Sequence, residues 1–237
     1  DISFQLKRGE ILGIVGESGS GKSVTALSIM GLLGQTGLTT GQVLFKPLHH
    51  QAEGPAAQKE INLLALSTEQ MRQYRGNHLA MIFQEPMSSL NPLFTCGYQV
   101  VEAIRLYQQV DQAGAKAIAI ELFAEVKLPN PELIFDRFPH QLSGGQLQRV
   151  MIAMAMSCNP DILIADEPTT ALDVTVQATI LNLLKQLQAE RQMSVIFITH
   201  DLGVISQIAD RVVVMYKGNL VESANTRELF QNPQHPY

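Results

Sequence analysis

The chain is poor in the residues that mark several common protein classes. Only two cysteines, Cys96 and Cys158, occur in its 237 residues, and tryptophan is absent. Two cysteines are too few for a disulfide framework or a four-cysteine metal site, so we interpret them as small buried residues in a reduced compartment. Charged residues make up 16% of the chain and the net charge is -5. Because no dense Lys/Arg run occurs either, nucleic acid is not expected as a partner.

Long apolar runs are also missing. No uninterrupted apolar segment approaches the ~20 residues that a helix needs to cross a bilayer, so any membrane association is expected to go through other subunits. Hydrophobic residues nevertheless make up 46% of the sequence. This composition excludes a disordered chain and predicts one globular unit with a large core.

Segments of strand and helix character alternate along the chain. Such alternation predicts an α/β fold with a mostly parallel sheet, covered by helices on both faces. Ligands of such sheets bind beyond the carboxyl ends of the strands. The predicted strands are 2–6, 11–15, 41–46, 79–83, 162–165 and 195–199, and the predicted helices lie within 23–33, 98–128 (two segments), 147–156 and 176–187.

Residues 47–67 have no clean periodicity and carry several Pro and Gly residues, so we interpret them as a loop or irregular insertion. His49 and His50 lie in this segment. Because no Cys, His or carboxylate partners stand at metal-ligand spacing, solvated loop histidines are favoured over metal ligands.

Residues 16–23, Gly-Glu-Ser-Gly-Ser-Gly-Lys-Ser, fit the phosphate-binding loop pattern between a buried strand and a helix. Glycines let backbone N–H groups turn toward phosphates at a helix N-terminus. Lys22 is predicted to reach the outer phosphates, and the Ser23 hydroxyl to ligate Mg²⁺. The predicted nucleotide contacts in this segment are Gly16, Ser18, Gly19, Ser20, Gly21, Lys22, Ser23 and Val24.

A second candidate site lies where the apolar segment 162–165 ends in two carboxylates, Asp166 and Glu167. Burying two such charges without a cation or a chemical task is costly. Asp166 is therefore predicted to hold Mg²⁺ through its water shell, and Glu167 to polarise the water that attacks the terminal phosphate.

A third motif, Leu-Ser-Gly-Gly-Gln at 142–146, precedes the predicted helix 147–156. Ser143 and the two glycines would then lie at a helix N-terminus, which is a second anion site. Ser143, Gly144, Gly145 and Gln146 are accordingly predicted to contact a nucleotide. The methionines at 151, 154 and 156 are interpreted as core residues.

In their order along the chain, these motifs resemble those of the ABC transporter ATPases: the phosphate loop, LSGGQ, DEPTTALD at 166–173, and a histidine after a later strand. The resemblance covers nearly the whole chain. It implies a P-loop NTPase fold with a mostly parallel sheet, an antiparallel β subdomain and a helical signature subdomain. The implied single domain, 1–237, divides into a nucleotide-binding core (1–86 and 159–237) and a helical subdomain (87–158). ATP and Mg²⁺ are the implied ligands.

The resemblance also implies roles for individual residues. Gln84 resembles the glutamine that contacts Mg²⁺ and water and senses the membrane partner, which makes it a catalytic and metal-site candidate. Asp173 resembles the aspartate that links two nucleotide sites. His200 resembles the switch histidine, placed to contact the terminal phosphate and to hold Glu167 and water. In the family the signature of one subunit closes over ATP held by another, so a head-to-tail homo- or heterodimer with two ATPs is implied.

A closer resemblance is to the ATPases of oligopeptide, dipeptide and nickel importers. It rests on GESGSGKSVTALSIMGLL, MIFQEPMSSLNP, DEPTTALDVTVQATIL and the NPQHPY segment. It implies transmembrane permease subunits, an indirect link to a substrate-binding protein, and a peripheral position at the cytoplasmic face of the inner membrane. The family's adenine-stacking aromatic residue lies in a loop that would precede Asp1, so Phe4 is not given that role. Peptide and nickel stay open as cargo.

Three other functions compete with this interpretation. A non-transport ABC ATPase shares the same motifs, although no long heptad insertion occurs here. A P-loop small-molecule kinase would transfer phosphate to a substrate hydroxyl, but LSGGQ and His200 would then have no role. A regulatory module that binds ATP without hydrolysing it is disfavoured by Glu167 beside Asp166.

Overall fold

The computed structural model describes residues 2–34, 37–47, 60–170 and 172–237. Its described strands are β1 (Ile11–Val15), β2 (Leu44–Phe45), β3 (Ile61–Asn62), β4 (Leu79–Ile82), β5 (Ile162–Asp166), β6 (Ser194–Thr199), β7 (Arg211–Tyr216) and β8 (Asn219–Asn225). Its described helices are α1 (Lys22–Ile29), α2 (Thr68–Arg72), α3 (Pro86–Ser89), α4 (Cys96–Tyr107), α5 (Gln112–Glu125), α6 (Pro131–Phe135), α7 (Gly144–Met156), α8 (Val174–Arg191), α9 (Leu202–Ile208) and α10 (Thr226–Gln231). Single 3₁₀ turns lie at Leu63–Ala65 and Pro139–Gln141.

A six-stranded sheet in the order β4-β5-β6-β1-β7-β8 forms the centre of the molecule. The first five strands in this order pair in parallel, and β8 pairs antiparallel with β7. A separate antiparallel pair joins β2 to β3. The predicted α/β class with a mostly parallel sheet is confirmed. The carboxyl ends of the parallel strands β1, β6 and β5 lie side by side, at one edge of the sheet.

Every residue of β1 and of β6 is buried, as expected for strands covered on both faces. Successive side chains of β1 point to opposite faces of the sheet. Ile11 and Val15 belong to a core cluster shared with α4, α5, α7 and α8. Leu12 and Ile14 belong to a second cluster, shared with α1 and the β2–β3 pair. The two cores hold β1 rigidly where the phosphate loop begins.

The two helices expected within 98–128 are present as α4 and α5. Each begins at a capping side chain: Thr95 accepts from the Tyr98 amide at 3.2 Å, and Asp111 accepts from the Gly114 amide at 2.8 Å. These helices pack with α6 and α7. The boundaries 87 and 158 of the helical subdomain stay a prediction.

Three predictions of local structure were wrong. The half-buried residues Ile2, Phe4 and Leu6 do alternate with exposed residues, but they form no strand. Their side chains pack on the second core cluster instead. The helix expected over 23–33 ends at Ile29, because Gly31 has a φ of 60° and Arg75 donates to the Met30 carbonyl at 2.7 Å.

The third error concerns residues 60–67, which we expected to be irregular. They contain β3 and a 3₁₀ turn, and Ser67 caps α2 with a capping box. Residues 48–59, including His49 and His50, lie outside the described residues. In the part of the chain that is described, no helix combines the length and the apolarity needed to span a membrane.

Candidate active site

The phosphate loop fills the gap between the end of β1 at Val15 and the start of α1 at Lys22. Gly16 is required there, because a Cβ at this position would lie 2.1 Å from the Met215 carbonyl oxygen. Gly21 caps α1 with a φ of 99°, in the left-handed region that glycine adopts without strain. The loop is therefore packed tightly against the end of β7.

Lys22 lies beneath this loop and is only 5% exposed. Its Nζ donates to the Gly16 carbonyl at 2.7 Å and to the Glu17 carbonyl at 2.9 Å, which uses two of the three protons of the ammonium. Burial lowers the pKa of Lys22, although the charges of Glu167 and Asp166 act to raise it. The Ser20 hydroxyl, also buried, has no hydrogen-bond partner among the described residues. Both groups fit an added phosphate oxygen as acceptor.

Ser23 meets Asp166 across 143 residues of sequence: the Ser23 hydroxyl donates to Asp166 Oδ1 at 3.0 Å. Asp166 ends β5 and is 5% exposed. Burial raises the pKa of Asp166, against the Ser23 hydrogen bond, which lowers it. A cation here would offset the cost of burying that charge.

A hydroxyl and a carboxylate are hard oxygen ligands of the kind Mg²⁺ prefers, with waters and phosphates completing its shell. No cluster of three His, Cys, Asp or Glu side chains that could hold a metal occurs in the described ranges. Ser23 and Asp166 thus suit Mg²⁺ held jointly with a phosphate, rather than a metal enclosed by protein ligands alone.

Glu167 follows directly, in a left-handed conformation with a φ of 47°. Its amide donates to the Ile198 carbonyl of β6 at 2.9 Å, which extends the sheet by one contact. Gln84 Nε2 donates to Glu167 Oε2 at 3.1 Å, and the Thr170 hydroxyl donates to the same oxygen at 2.8 Å. The other oxygen, Oε1, lies 3.2 Å from His200 Nδ1. Three side chains therefore fix the direction of one carboxylate.

These partners come from different places in the fold. Gln84 follows β4, and His200 follows β6 with a side chain that is 57% exposed. His200 was predicted to hold Glu167, and Gln84 to contact Mg²⁺ and water; the structure brings all three side chains together. Thr170 was not singled out, because a threonine in a polar turn carries no pattern that reveals its partner.

The signature segment is built as predicted around Ser143, which caps α7. Ser143 Oγ accepts from the Gln146 amide at 3.4 Å, and Gln146 Oε1 accepts from the Ser143 amide at 2.9 Å. Gly145 lies against α8, where a Cβ would be 2.7 Å from Val176 Cγ1. Asp173 caps α8 by accepting from the Val176 amide at 2.9 Å. Ser143, Gly144 and Asp173 are exposed.

A cavity of about 830 Å³ opens beside the phosphate loop. Its described lining joins phosphate-loop residues to Gln84, Glu167, Thr170 and His200, and includes none of residues 142–146. The structure thus gathers the phosphate loop with the strand-end residues and leaves the signature outside the cavity. Its remaining described lining is Val15, Leu202, Val214, Glu222, Leu229, Phe230, Pro233, His235 and Tyr237.

Comparison with known proteins identifies the family of the chain. The sequence model of the ABC transporter family matches residues 1–170. The glutathione import ATP-binding protein GsiA of Salmonella choleraesuis (strain SC-B67) is 54% identical over 239 residues, and GsiA of Escherichia coli (strain K12) is 55% identical over 237. Each alignment covers 100% of this chain but 37% of the relative. The chain therefore spans little more than a third of these relatives.

Solved structures agree on the fold. The dimeric structure of a post-hydrolysis state of the ATP-binding cassette MJ0796, bound to ADP and Pi, has a TM-score of 0.80 at 29% identity. It covers 96% of this chain and 90% of that chain. The cbiO1 component of the cbiONQ transporter from Clostridium perfringens has a TM-score of 0.78 at 25% identity, covering 97% and 82%.

Proposed function

The chain belongs to the ABC transporter family, and we propose that it binds and hydrolyses ATP to power an importer. The observation that carries the proposal is the meeting of the phosphate loop, Asp166, Glu167 and His200 at neighbouring strand ends. In parallel sheets this edge is where ligands bind. The family resemblance inferred from sequence supports the same activity.

Each group at this edge has a distinct task in hydrolysis. Lys22, held by two carbonyls, offers its third proton to the outer phosphates. Ser23 and Asp166 would hold Mg²⁺, which when bound neutralises charge on the phosphates. Glu167 is directed by its three partners to accept a proton from the attacking water. His200 is exposed enough to contact the terminal phosphate while it holds Glu167 Oε1.

The exposed signature supports assembly as a head-to-tail dimer. Ser143 and Gly144 expose a helix N-terminus that does not line the cavity of their own chain. Such a terminus attracts anions through unpaired N–H groups and the helix dipole. A second subunit would use it to cover ATP on the first; the 29% identical cassette MJ0796 forms a dimer. ATP would then favour closure, and hydrolysis would let the dimer reopen.

A surface around Gln84 supports attachment to a permease. Exposed apolar side chains are concentrated between residues 83 and 98, and Phe94 stacks on Tyr98 with ring centroids 5.0 Å apart. Apolar exposure of this kind marks sites of protein contact. We place a cytoplasmic permease helix there, with the chain peripheral at the inner membrane. The exposed side chains are Phe83, Met87, Leu93, Phe94 and Tyr98.

The cargo proposal follows the relatives. GsiA is a glutathione import ATP-binding protein, and the sequence motifs resemble those of the peptide and nickel importer ATPases. We favour small peptides, including glutathione, over nickel, with a binding protein delivering the cargo to the permease.

The first test combines turnover with assembly. Changing Glu167 to Gln should lower phosphate release by at least ~10²-fold, because the general base is lost, yet preserve ATP binding. In size-exclusion chromatography with light scattering, this variant should shift from monomer to dimer on addition of ATP and Mg²⁺. Lys22→Ala should instead weaken nucleotide binding itself.

A second change tests the shared site. Adding Ser143→Arg to the Glu167→Gln variant should abolish the ATP-dependent dimer, whereas Ser3→Arg, which adds the same charge to an exposed serine elsewhere, should not. A monomer that binds ATP and transfers its phosphate to an added hydroxyl compound would favour the kinase alternative. Unchanged hydrolysis after Glu167→Gln would refute the role of Glu167 as base.

A further inference from the structure

The segment from Asn232 to Tyr237 contacts the phosphate loop from the outside. The Tyr237 hydroxyl accepts a hydrogen bond from the Glu17 amide at 3.0 Å, across 220 residues of sequence. Tyr237 also lines the cavity that contains Glu167 and His200. None of the roles proposed for the site so far uses this residue.

The contact falls on one particular peptide group. The Glu17 N–H and the Gly16 carbonyl belong to the same peptide plane, which is rigid and holds the two groups in opposite directions. The Gly16 carbonyl accepts from Lys22 Nζ at 2.7 Å. Tyr237 and Lys22 therefore hold the two ends of a single plane, and rotation of that plane would break both contacts.

Three further contacts hold the segment in place. Glu222 of β8 accepts from the Gln234 amide at 2.9 Å and from the His235 amide at 2.8 Å, and these two bonds lower the pKa of its carboxyl. The Tyr237 ring packs on Tyr216, with centroids 4.6 Å apart. Tyr216 ends β7, the parallel neighbour of β1. The hydroxyl is thus carried by an anchored ring.

We propose that Tyr237 is a positioning residue for nucleotide binding: its hydroxyl fixes the Gly16–Glu17 peptide plane and so the direction of the Lys22 ammonium. The inference rests on the proposed function, because it assigns Lys22 to the phosphates of ATP. Without the hydroxyl, the peptide plane is held by Lys22 alone and can rotate more easily. Part of the free energy of ATP binding must then restore the orientation of the plane. A neutral hydrogen bond of this kind is worth roughly two- to tenfold in affinity.

The test compares ATP affinities in the full-length protein carrying Glu167→Gln, so that turnover does not interfere. Tyr237→Phe keeps the ring on Tyr216 and removes only the acceptor; we expect the Kd for ATP to rise roughly two- to tenfold. Tyr74→Phe removes a hydroxyl in the region of Phe45 and His78 and should leave the Kd unchanged. In a protein that retains Glu167, Tyr237→Phe should have the same kcat as the unsubstituted protein and a raised KM for ATP.

Glu222→Gln weakens the anchoring of the segment that carries Tyr237. The substitution replaces one acceptor oxygen by an NH₂ group, which would face a backbone N–H. Its effect should have the same direction as that of Tyr237→Phe, and the double variant should bind no more weakly than the weaker of the two single variants. An unchanged Kd for Tyr237→Phe, or a fall in kcat at constant KM, would overturn the inference. Failure of the parent to bind ATP would instead refute the proposed function.

Discussion

The ion pair between Glu10 and Arg211 fixes the start of β1 beside the start of β7, and its removal should be costly. Glu10 is 8% exposed. Arg211 Nε donates to Glu10 Oε1 at 2.7 Å and Nη2 to Oε2 at 3.2 Å, while the Lys7 amide donates to Oε2 at 2.7 Å. Burial acts to raise the pKa of Glu10, but these partners outweigh it and lower the pKa below its ordinary value.

Changing Arg211 to Met would leave a buried carboxylate whose remaining donor, among the residues that the structure describes, is the Lys7 amide. Breaking a buried pair by removing one partner costs ~3–5 kcal/mol. The Arg211 side chain is 17% exposed and the amide is retained, so the lower end, about 3 kcal/mol, applies. At about 2–4 °C per kcal/mol for a chain of this size, we expect the Tm at pH 7 to fall by about 6–12 °C in thermal denaturation followed by circular dichroism.

The pH dependence has a definite sign. In the parent, the lowered pKa of Glu10 means that its stabilising contribution is present above the unfolded-state pKa and is lost as the pH falls through the folded-state value. In Arg211→Met, burial should dominate and raise the pKa of Glu10, so protonation relieves the cost. The difference in Tm between the two proteins should therefore shrink as the pH is lowered from 7 toward 4.

The double variant Glu10→Gln with Arg211→Met serves as the control. It removes both charges and keeps similar shapes, so it should melt at a higher temperature than Arg211→Met alone. A double variant that melts lower than the single one, or a single variant within about 2 °C of the parent at pH 7, which is at most about 1 kcal/mol, would refute the reasoning.

Three further outcomes are expected from single changes. Thr170→Val removes one donor to Glu167 and should slow ATP hydrolysis about tenfold with unchanged ATP affinity; weaker binding at normal turnover would contradict the assigned contact. Gly16→Ala forces a Cβ against the Met215 carbonyl and should abolish measurable ATP binding in titration calorimetry, so wild-type affinity would show that the loop can shift. Asp111→Ala removes the cap of α5 at a cost of about 1 kcal/mol, seen as a Tm lower by about 2–4 °C.

Local patterns in the sequence predicted the elements that hold the candidate site. The apolar segment before Gly16 could be recognised as a buried strand that leads into a phosphate loop. Asp166 and Glu167 could be recognised as carboxylates at the end of a second buried strand. Both predictions were possible because each pattern is contained in a few consecutive residues. The strand order that makes these ends neighbours was not predicted. The periodicity of apolar residues alone does not specify which strands pair.

The remaining contacts depend on residues far apart in sequence. Thr170 and Tyr237 carry no local sign of their partners, since a hydroxyl accepts or donates wherever the fold places it. The end of α1 at Ile29 is fixed partly by Arg75, 45 residues beyond Met30. Strands β7 and β8 escaped prediction although they form one edge of the central sheet.

The position of β1 has a consequence for how the protein is made. Among the described strands it is synthesised first, yet its two neighbours, β6 and β7, begin about 180 and about 200 residues later. During that interval an apolar strand with unpaired edges is available for wrong partners, and long-range pairing of this kind is slow. Ser23 likewise cannot contact Asp166 until the 143 residues that follow it have been synthesised. We expect nascent chains that stop short of β6 to require chaperones, and none of them to bind ATP.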